Sequence, residues 1–300
     1  MTPRRRSANP LVTISSKVEQ GPWPERRRPL VPSATYSRPE ARIRFEDGLW
    51  HGTTPKPLAF IDMRVSEPGF GLEDRRVLNV LMALSWSWLA DPEEPVDLEV
   101  PASTLRAMVG FGAHSDNRRL RIHLGRLATT PVSLANGPAM PILDMAELPQ
   151  GSDRVRWRFG AAAADACAAP RLWARLEPGI CAGFTSRFAQ ALYEVAIFRS
   201  GLDRPQWTVD VNALRRIMGA EGGLSRWADF ERKAILRAQS ELATVAGIKV
   251  DYQPLRVHHG QRFDAVRFVF SSLGRPAGQR KASGKDPVAR SEPPGQRRAA

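Results

Sequence analysis

Cysteine is scarce, with two in 300 residues. Cys167 and Cys181 cannot staple a secreted scaffold, and they suit a reducing cytoplasm. They stand fourteen apart with no histidine nearby and no C-x-x-C pair, which makes a poor zinc site. Histidine numbers five and tyrosine three. A metal-dependent DNA-nicking centre needs two histidines flanking an apolar residue, together with a nucleophilic tyrosine. Here the only neighbouring histidines, His258 and His259, have nothing between them, and the tyrosines are Tyr36, Tyr193 and Tyr252. No G-x-x-x-x-G-K-[S/T] loop is present to cradle phosphates, and no G-x-S-x-G nucleophile elbow. The expectation is a protein that is not an enzyme and takes no cofactor. No apolar run reaches the ~20 residues a bilayer requires. The longest, around Val77 to Leu89, is broken by Asn79, Ser85 and Ser87. No signal-peptide apolar region follows the arginines at the N-terminus. A cytoplasmic protein without a membrane partner is expected.

Basic charge is abundant. The chain carries 44 Lys and Arg against 31 Asp and Glu, a net charge of +13, and a polyanionic partner follows. Most of that excess lies in two terminal stretches. Residues 1–44 hold ten basic and three acidic side chains, and residues 273–300 hold seven and two. Both are rich in Pro, Gly, Ser and Arg with little apolar periodicity, so both are read as disordered tails. Residues 45–272 are nearly neutral, at +1. Nucleic-acid contact by the folded part must therefore come from local placement of charge. With 42% hydrophobic residues, 8 Trp and 12 Phe, that part can bury a sizeable core, and its length suits two domains.

Those two domains show as an internal repeat. Val96-Asp-Leu-Glu-Val100 alternates like a strand, Ala102 to Gly110 reads as a short helix closed by glycine, and Ser115 to Leu127 reads as a second helix. In the second half Trp207 to Val211, Asn212 to Gly219 and Ser225 to Leu242 repeat that order. Leu105-Arg106 aligns with Leu214-Arg215, Met108 with Ile217, and Gly110 with Gly219. The glycines stand where a left-handed residue ends a helix. Asn212, Ser115 and Ser225 are the expected N-caps. A helix precedes each unit, Leu72 to Leu89 in one and Thr185 to Arg199, capped by Thr185, in the other. Strands close each unit. In the second, Ile248 to Leu255 and Phe263 to Phe270 flank a polar turn at His258 to Gln261. In the first, Val132–Leu134 and Arg154–Phe159 are the expected pair. This order is that of a winged helix. The fold expected is α+β, with two tandem winged helices and disordered basic tails. The parts are an extension 1–44, a first winged helix 45–160, a linker 161–180, a second winged helix 181–272 and a tail 273–300.

In a winged helix the helix after the turn can enter a major groove, burying one face and offering the other to phosphates and base edges. In the second unit Trp227, Phe230, Ala234, Ile235, Ala238, Leu242 and Val245 follow helical spacing and form the stripe to be buried. Arg226, Arg232, Lys233 and Arg237 fall opposite, the first, third and fourth on one face. A solvated helix face with local ion pairs, such as Asp229–Lys233 and Arg237–Glu241, is the competing reading. In the first unit Leu120, Leu124 and Leu127 form the stripe, and Arg118, Arg119, Arg121 and Arg126 face only Asp116 in the local sequence. Like charges one turn apart repel, and an anionic ligand relieves that. Wing contacts are expected from His258, His259 and Arg262, and from the strand face of Arg154, Arg156 and Arg158. Trp86 and Trp88 are expected in the core or in a contact between domains.

Phe188-Ala-Gln-Ala-Leu-Tyr193-Glu-Val, Val209 to Gly219, Arg226 to Leu242, Lys249 to Tyr252 and Val266 to Phe268 together resemble the plasmid replication initiators built from two winged helices. Leu72-Glu-Asp-Arg-Arg76-Val-Leu is similar to that family's opening helix. The likeness covers 185–270 well and 70–130 loosely. It implies sequence-specific binding of double-stranded DNA at directly repeated origin sequences (iterons), with one iteron half read through Arg226, Arg232, Lys233 and Arg237. It also implies a homodimer formed through the first winged helix, and partnership with the host replication initiator and helicase-loading proteins. The long Pro/Arg extension and the Pro131 to Gly151 region depart from the family's pattern. A transcriptional repressor on the same architecture, with no role in replication, is the alternative.

Overall fold

The computed structural model describes residues 39–65, 70–90, 97–111, 116–134, 137–168, 170, 172–202, 204–256 and 263–272. Residues 1–38 and 273–300 lie outside these, and with them the expectation of disordered tails. The assigned extension ends too late, because Arg42 and Arg44 belong to strand β1 (Arg42–Glu46). This strand pairs with β2 (Leu49–Pro57) through a two-residue turn in which Asp47 and Gly48 both take positive φ. A short helix, α1 (Leu58–Ile61), and strand β3 (Arg64–Val65) follow.

The first module runs through α2 (Leu72–Ser85), β4 (Leu98–Pro101), α3 (Ala102–Val109), α4 (Asn117–Thr129), β5 (Val132–Ser133), β6 (Ala139–Met140), β7 (Leu143–Glu147) and β8 (Arg154–Phe159). Its wing sheet has the order β4-β8-β7. Arg154–Phe159 thus pairs with Leu143–Glu147, and not with Val132–Leu134 as expected. Val132 and Ser133 join β3 and β6 in a separate small sheet. Leu143 lies fully buried opposite Phe159, and the register shift between Leu143 and Met145 blurs the alternation that would have marked the strand.

The segment 161–180, expected as a linker, is folded. Helix α5 (Ala161–Ala168) leads to β9 (Trp173–Leu176), which pairs with β2, and then to α6 (Pro178–Gly183). The second module follows with α7 (Arg187–Ser200), β10 (Gln206–Asp210) and α8 (Val211–Ile217). Four abutting helical segments come next: Trp227–Phe230, Glu231–Ile235, Leu236–Glu241 and Leu242–Ala246. They form one rod, α9, with wide π-type turns in the second and fourth. Strands β11 (Ile248–Leu255) and β12 (Ala265–Ser272) complete the sheet β10-β12-β11, whose order repeats that of the first module.

Local chemistry explains the helix boundaries. Gly110 (φ 80°) and Gly219 (φ 66°) stand just past α3 and α8. In both, the next residue's N–H reaches back to the arginine carbonyl, Phe111 to Arg106 and Ala220 to Arg215. That closure needs a left-handed residue, which glycine adopts without a Cβ penalty. The N-caps differ from those expected. Asp210 caps α8 in place of Asn212, Asp116 caps α4 in place of Ser115, and Ser186 caps α7 in place of Thr185. Each accepts from an N–H two residues on, the geometry that sets the cap. Arg226 stands at the N-cap of α9 with no side-chain cap bond, and Ser225 instead gives its carbonyl to Arg215 at 2.7 Å.

Each module has its own core. In the second, Phe230, Ala234, Ile235, Ala238 and Leu242 of α9 are fully buried against Tyr193, Trp207 and Phe268. In the first, Leu120, Leu124 and Leu127 of α4 pack with Val77, Leu81 and Trp157, whose indole N–H donates to Ser85 at 2.9 Å. Trp86 is buried and donates to the Pro39 carbonyl, whereas Trp88 is 57% exposed and joins neither core.

The modules meet across a buried ionic cluster. Glu194 of α7 is fully buried and lies 2.7 Å from Lys56 of β2 and 2.9 Å from Arg75 of α2. Asn79 donates to Glu194 at 3.1 Å and accepts from Lys56 at 2.7 Å. Burial pushes the Glu194 carboxyl up, but Lys56 and Arg75 outweigh it and hold it below the ordinary carboxylate range. One anion thus faces two cations, and burial with Arg75 alongside pushes the Lys56 ammonium down. Arg75 also donates to the Ile217 carbonyl at the end of α8, at 2.9 Å. Arg76 donates to the carbonyls of Cys181, Ala182 and Phe184 around the end of α6. The pair Arg75-Arg76 therefore fixes α2 to α6, α7 and α8.

Candidate nucleic-acid interface

The stripe of α9 seated in the core turns the opposite face to solvent. Arg226, Arg232, Lys233 and Arg237 are all exposed on it. Their carboxylate partners are local: Asp229 lies 3.2 Å from Arg232 and 3.6 Å from Lys233, and Glu241 lies 3.3 Å from Arg237. Exposed pairs at i,i+3 and i,i+4 contribute only about 0.3–0.5 kcal/mol each. An incoming phosphate can displace them at little cost.

Arg237 has a second attachment. Glu241 accepts from the backbone N–H groups of Thr185 and Ser186 at 2.9 and 3.1 Å and from the Thr185 hydroxyl at 2.8 Å. Burial raises this carboxyl, but those donors and Arg237 prevail and hold it below the usual range. Glu241 thus anchors the residues leading into α7 to the rod, and Arg237 extends that network to Thr185 at 3.4 Å. Behind the turn, the Arg215 guanidinium lies 5.2 Å from the Phe230 ring centre while donating to Ser225. It ties the C-terminal half of α8 to the start of the rod.

The first module is arranged differently. Arg119 forms a forked pair with Glu73 of α2, its Nε donating at 3.1 Å, and its guanidinium lies 4.4 Å from the Phe111 ring centre. That hydrogen bond lowers the Glu73 carboxyl and raises the Arg119 guanidinium. Arg126 reaches Asp74 at 3.5 Å. Arg121 donates to the Leu148 carbonyl at 3.0 Å, holding α4 to the end of β7. Buried His123 has a carboxylate oxygen 2.7 Å from each ring nitrogen, one from Glu73 and one from Asp74. The carboxylates missing from the local sequence of α4 are thus supplied by α2, and the charge on this face is less unbalanced than the sequence suggested. Arg118 is exposed and forms no ion pair among the described residues.

On the first wing, Arg154, Arg156 and Arg158 form a ladder with carboxylates. Arg154 meets Glu99, Arg158 meets Asp97, and Arg156 lies among Asp97, Glu99 and Glu147. The Arg158 hydrogen bond draws the Asp97 carboxyl down. This strand face is a cross-strand ion-pair array, which explains its alternation. His258, His259 and Arg262 lie outside the described residues. Next to them Arg256, which the sequence reading passed over, is exposed at the end of the second wing's first strand, its guanidinium 4.9 Å from the Phe263 ring centre. Its place beside the polar turn was the available signal.

Two comparisons bear on this arrangement. Residues 210–270, from the end of β10 through β12, match the family model described as "Initiator Rep protein, WH2". The fold resembles the crystal structure of Pi initiator protein in complex with iteron DNA. The TM-score is 0.54 at 14% identity, over 70% of this chain and 96% of that one. No curated protein sequence matches. No helix among the described residues is long and apolar enough to cross a membrane. Residues 210–270 are thus similar to the initiator Rep WH2 domain, and a module of the same strand order stands ahead of them in a fold like that of the Pi initiator.

Proposed function

We propose that this protein binds directly repeated duplex sequences at a plasmid origin through both winged helices and thereby starts replication. The observation that carries the reading is the exposed cationic face of α9, whose ion pairs among the described residues are to carboxylates of the rod itself and whose other face is locked in the core. Arg232 is the prime base-reading candidate. Its side chain is 72% exposed, and among the described residues its one ion pair is to Asp229. Arg guanidinium groups match guanine O6 and N7 in a bidentate way. Lys233 and Arg226 serve phosphates, and Arg237 combines phosphate contact with its tie to Glu241. In the first module Arg118 makes the main contact, while Arg119, Arg121 and Arg126 chiefly hold α4 in place. His258, His259 and Arg262 extend the second wing toward the DNA backbone. Opening of the origin, recruitment of the host initiator and helicase-loading proteins, a homodimeric repressing form and residence in the bacterial cytoplasm complete the proposal. It assigns ATP hydrolysis and strand synthesis to those partners.

Footprinting of the full chain on DNA flanking its own coding gene tests this. Protection of tandem direct repeats, each about two helical turns long, is the expected result. Neutralising six to ten phosphates should cost roughly 10³–10⁵ in affinity between 50 and 200 mM salt. Arg232→Ala should lose about 1–3 kcal/mol and relax preference at one base pair. An isolated inverted repeat would favour the repressor, and no protected sequence would overturn duplex recognition altogether.

A further inference from the structure

Two of the few large apolar side chains that the described residues leave in solvent lie amid the basic helix faces. Ile122 of α4 is 46% exposed and Leu236 of α9 is 43% exposed. Ile122 is the sixth residue of α4 and Leu236 the tenth of α9, so the two positions are not equivalent, but each follows two exposed cations and a buried residue, Arg118-Arg119-Leu120 in one and Arg232-Lys233-Ala234 in the other. The next core residue, Leu124 or Ala238, follows two positions later in each. Neighbours three and four apart share a helix face. Leu236 is therefore adjacent to Arg232 and Lys233, and Ile122 to Arg118, Arg119 and Arg126. Neither belongs to its module's core or is packed against it.

A single exposed aliphatic needs no explanation. One set amid the cations on the exposed face of each helix that follows a turn does. Its surroundings specify the ligand: apolar, small and approached between anionic groups that the flanking cations meet. In the major groove the thymine C5-methyl has that character, with phosphates on either side. We infer that Leu236 and Ile122 are specificity-determining contacts to thymine methyl groups, one in each of two successive major grooves. This rests on the duplex-binding reading above.

Exchanging thymine for deoxyuridine removes the methyl and leaves the base pair intact. The full chain is titrated against a duplex that it has itself selected from a random library, with each thymine replaced singly by deoxyuridine. Burying one methyl group changes affinity about fourfold. The intact protein should lose about that factor at one or two thymines per module. Leu236→Ala should bind the all-thymine duplex less tightly and become indifferent at the thymines of the second module while staying sensitive at those of the first. Ile122→Ala should show the converse. Both positions are exposed, and unchanged thermal melting of the variants excludes misfolding as the cause. Indifference of the intact protein to every exchange, or unaltered sensitivity in both variants, overturns the assignment while duplex binding stands. Failure to select any duplex overturns both.

Discussion

Replacing Glu194 by glutamine keeps the shape of the cluster between the modules and removes its only anion. Lys56 and Arg75 would then share a site in which neither is more than 6% exposed, with neutral amides as their nearest partners. Removing one member of a buried ion pair costs roughly 3–5 kcal/mol, because the remaining charge stays desolvated without compensation. Asn79 and the Ile217 carbonyl still accept from Lys56 and Arg75, which places the expected loss near the lower figure. A total stability of about 5–15 kcal/mol makes that a large fraction. The cost falls on the docking of the modules, since Glu194 belongs to one and its partners to the other half. Urea unfolding followed by tryptophan fluorescence and by far-ultraviolet circular dichroism measures it. Glu194→Gln should lower the midpoint and separate the two signals as the modules uncouple. Lys56→Met added to Glu194→Gln should recover part of the loss by removing one uncompensated charge. A single variant within about 1 kcal/mol of the intact protein, with superimposable transitions, would refute the account of this cluster, since even the mildest unsatisfied buried group costs that much.

Three further outcomes follow from local geometry. Glu241→Gln should cost about 0.5–2 kcal/mol near neutral pH by weakening the charged hydrogen bonds that hold Thr185 and Ser186 to the rod. The intact carboxyl titrates lower folded than unfolded, so its contribution is full above the ordinary carboxylate range and vanishes as pH falls below it. Thermal melts of the two proteins should therefore converge in acid. Alanine at Gly110 or Gly219 meets no atom closer than 3.8 Å, so the cost is conformational, about 1–2 kcal/mol each in urea melts. Tyr252, whose hydroxyl donates to Glu231 at 2.8 Å, is pushed up to about 12 by burial and then by that carboxylate. Absorbance titration at alkaline pH should show Glu231→Gln bringing one tyrosine back toward 10.

The order of elements was legible because its signals are local. Leucine, alanine and phenylalanine at helical spacing fixed which faces of α4 and α9 turn inward, and Gly110 and Gly219 marked two helix ends. Matching these signals between halves exposed the repeat, and with it the helix that follows the turn in each module. Tertiary structure decided what spacing cannot encode. Glu73 and Asp74 lie 46 to 52 residues from Arg119, His123 and Arg126 in these pairs, and only the packing of α2 on α4 brings them together. The second-half partners of Lys56 and Arg75 are more distant still, and each read in isolation as an ordinary cation. The wing strand opposite β8 was hidden by an irregular register. Local patterns are set by one or two turns of backbone. Charge compensation is a property of surfaces that meet only after folding, so the sequence could locate the cations but not tell which were already engaged.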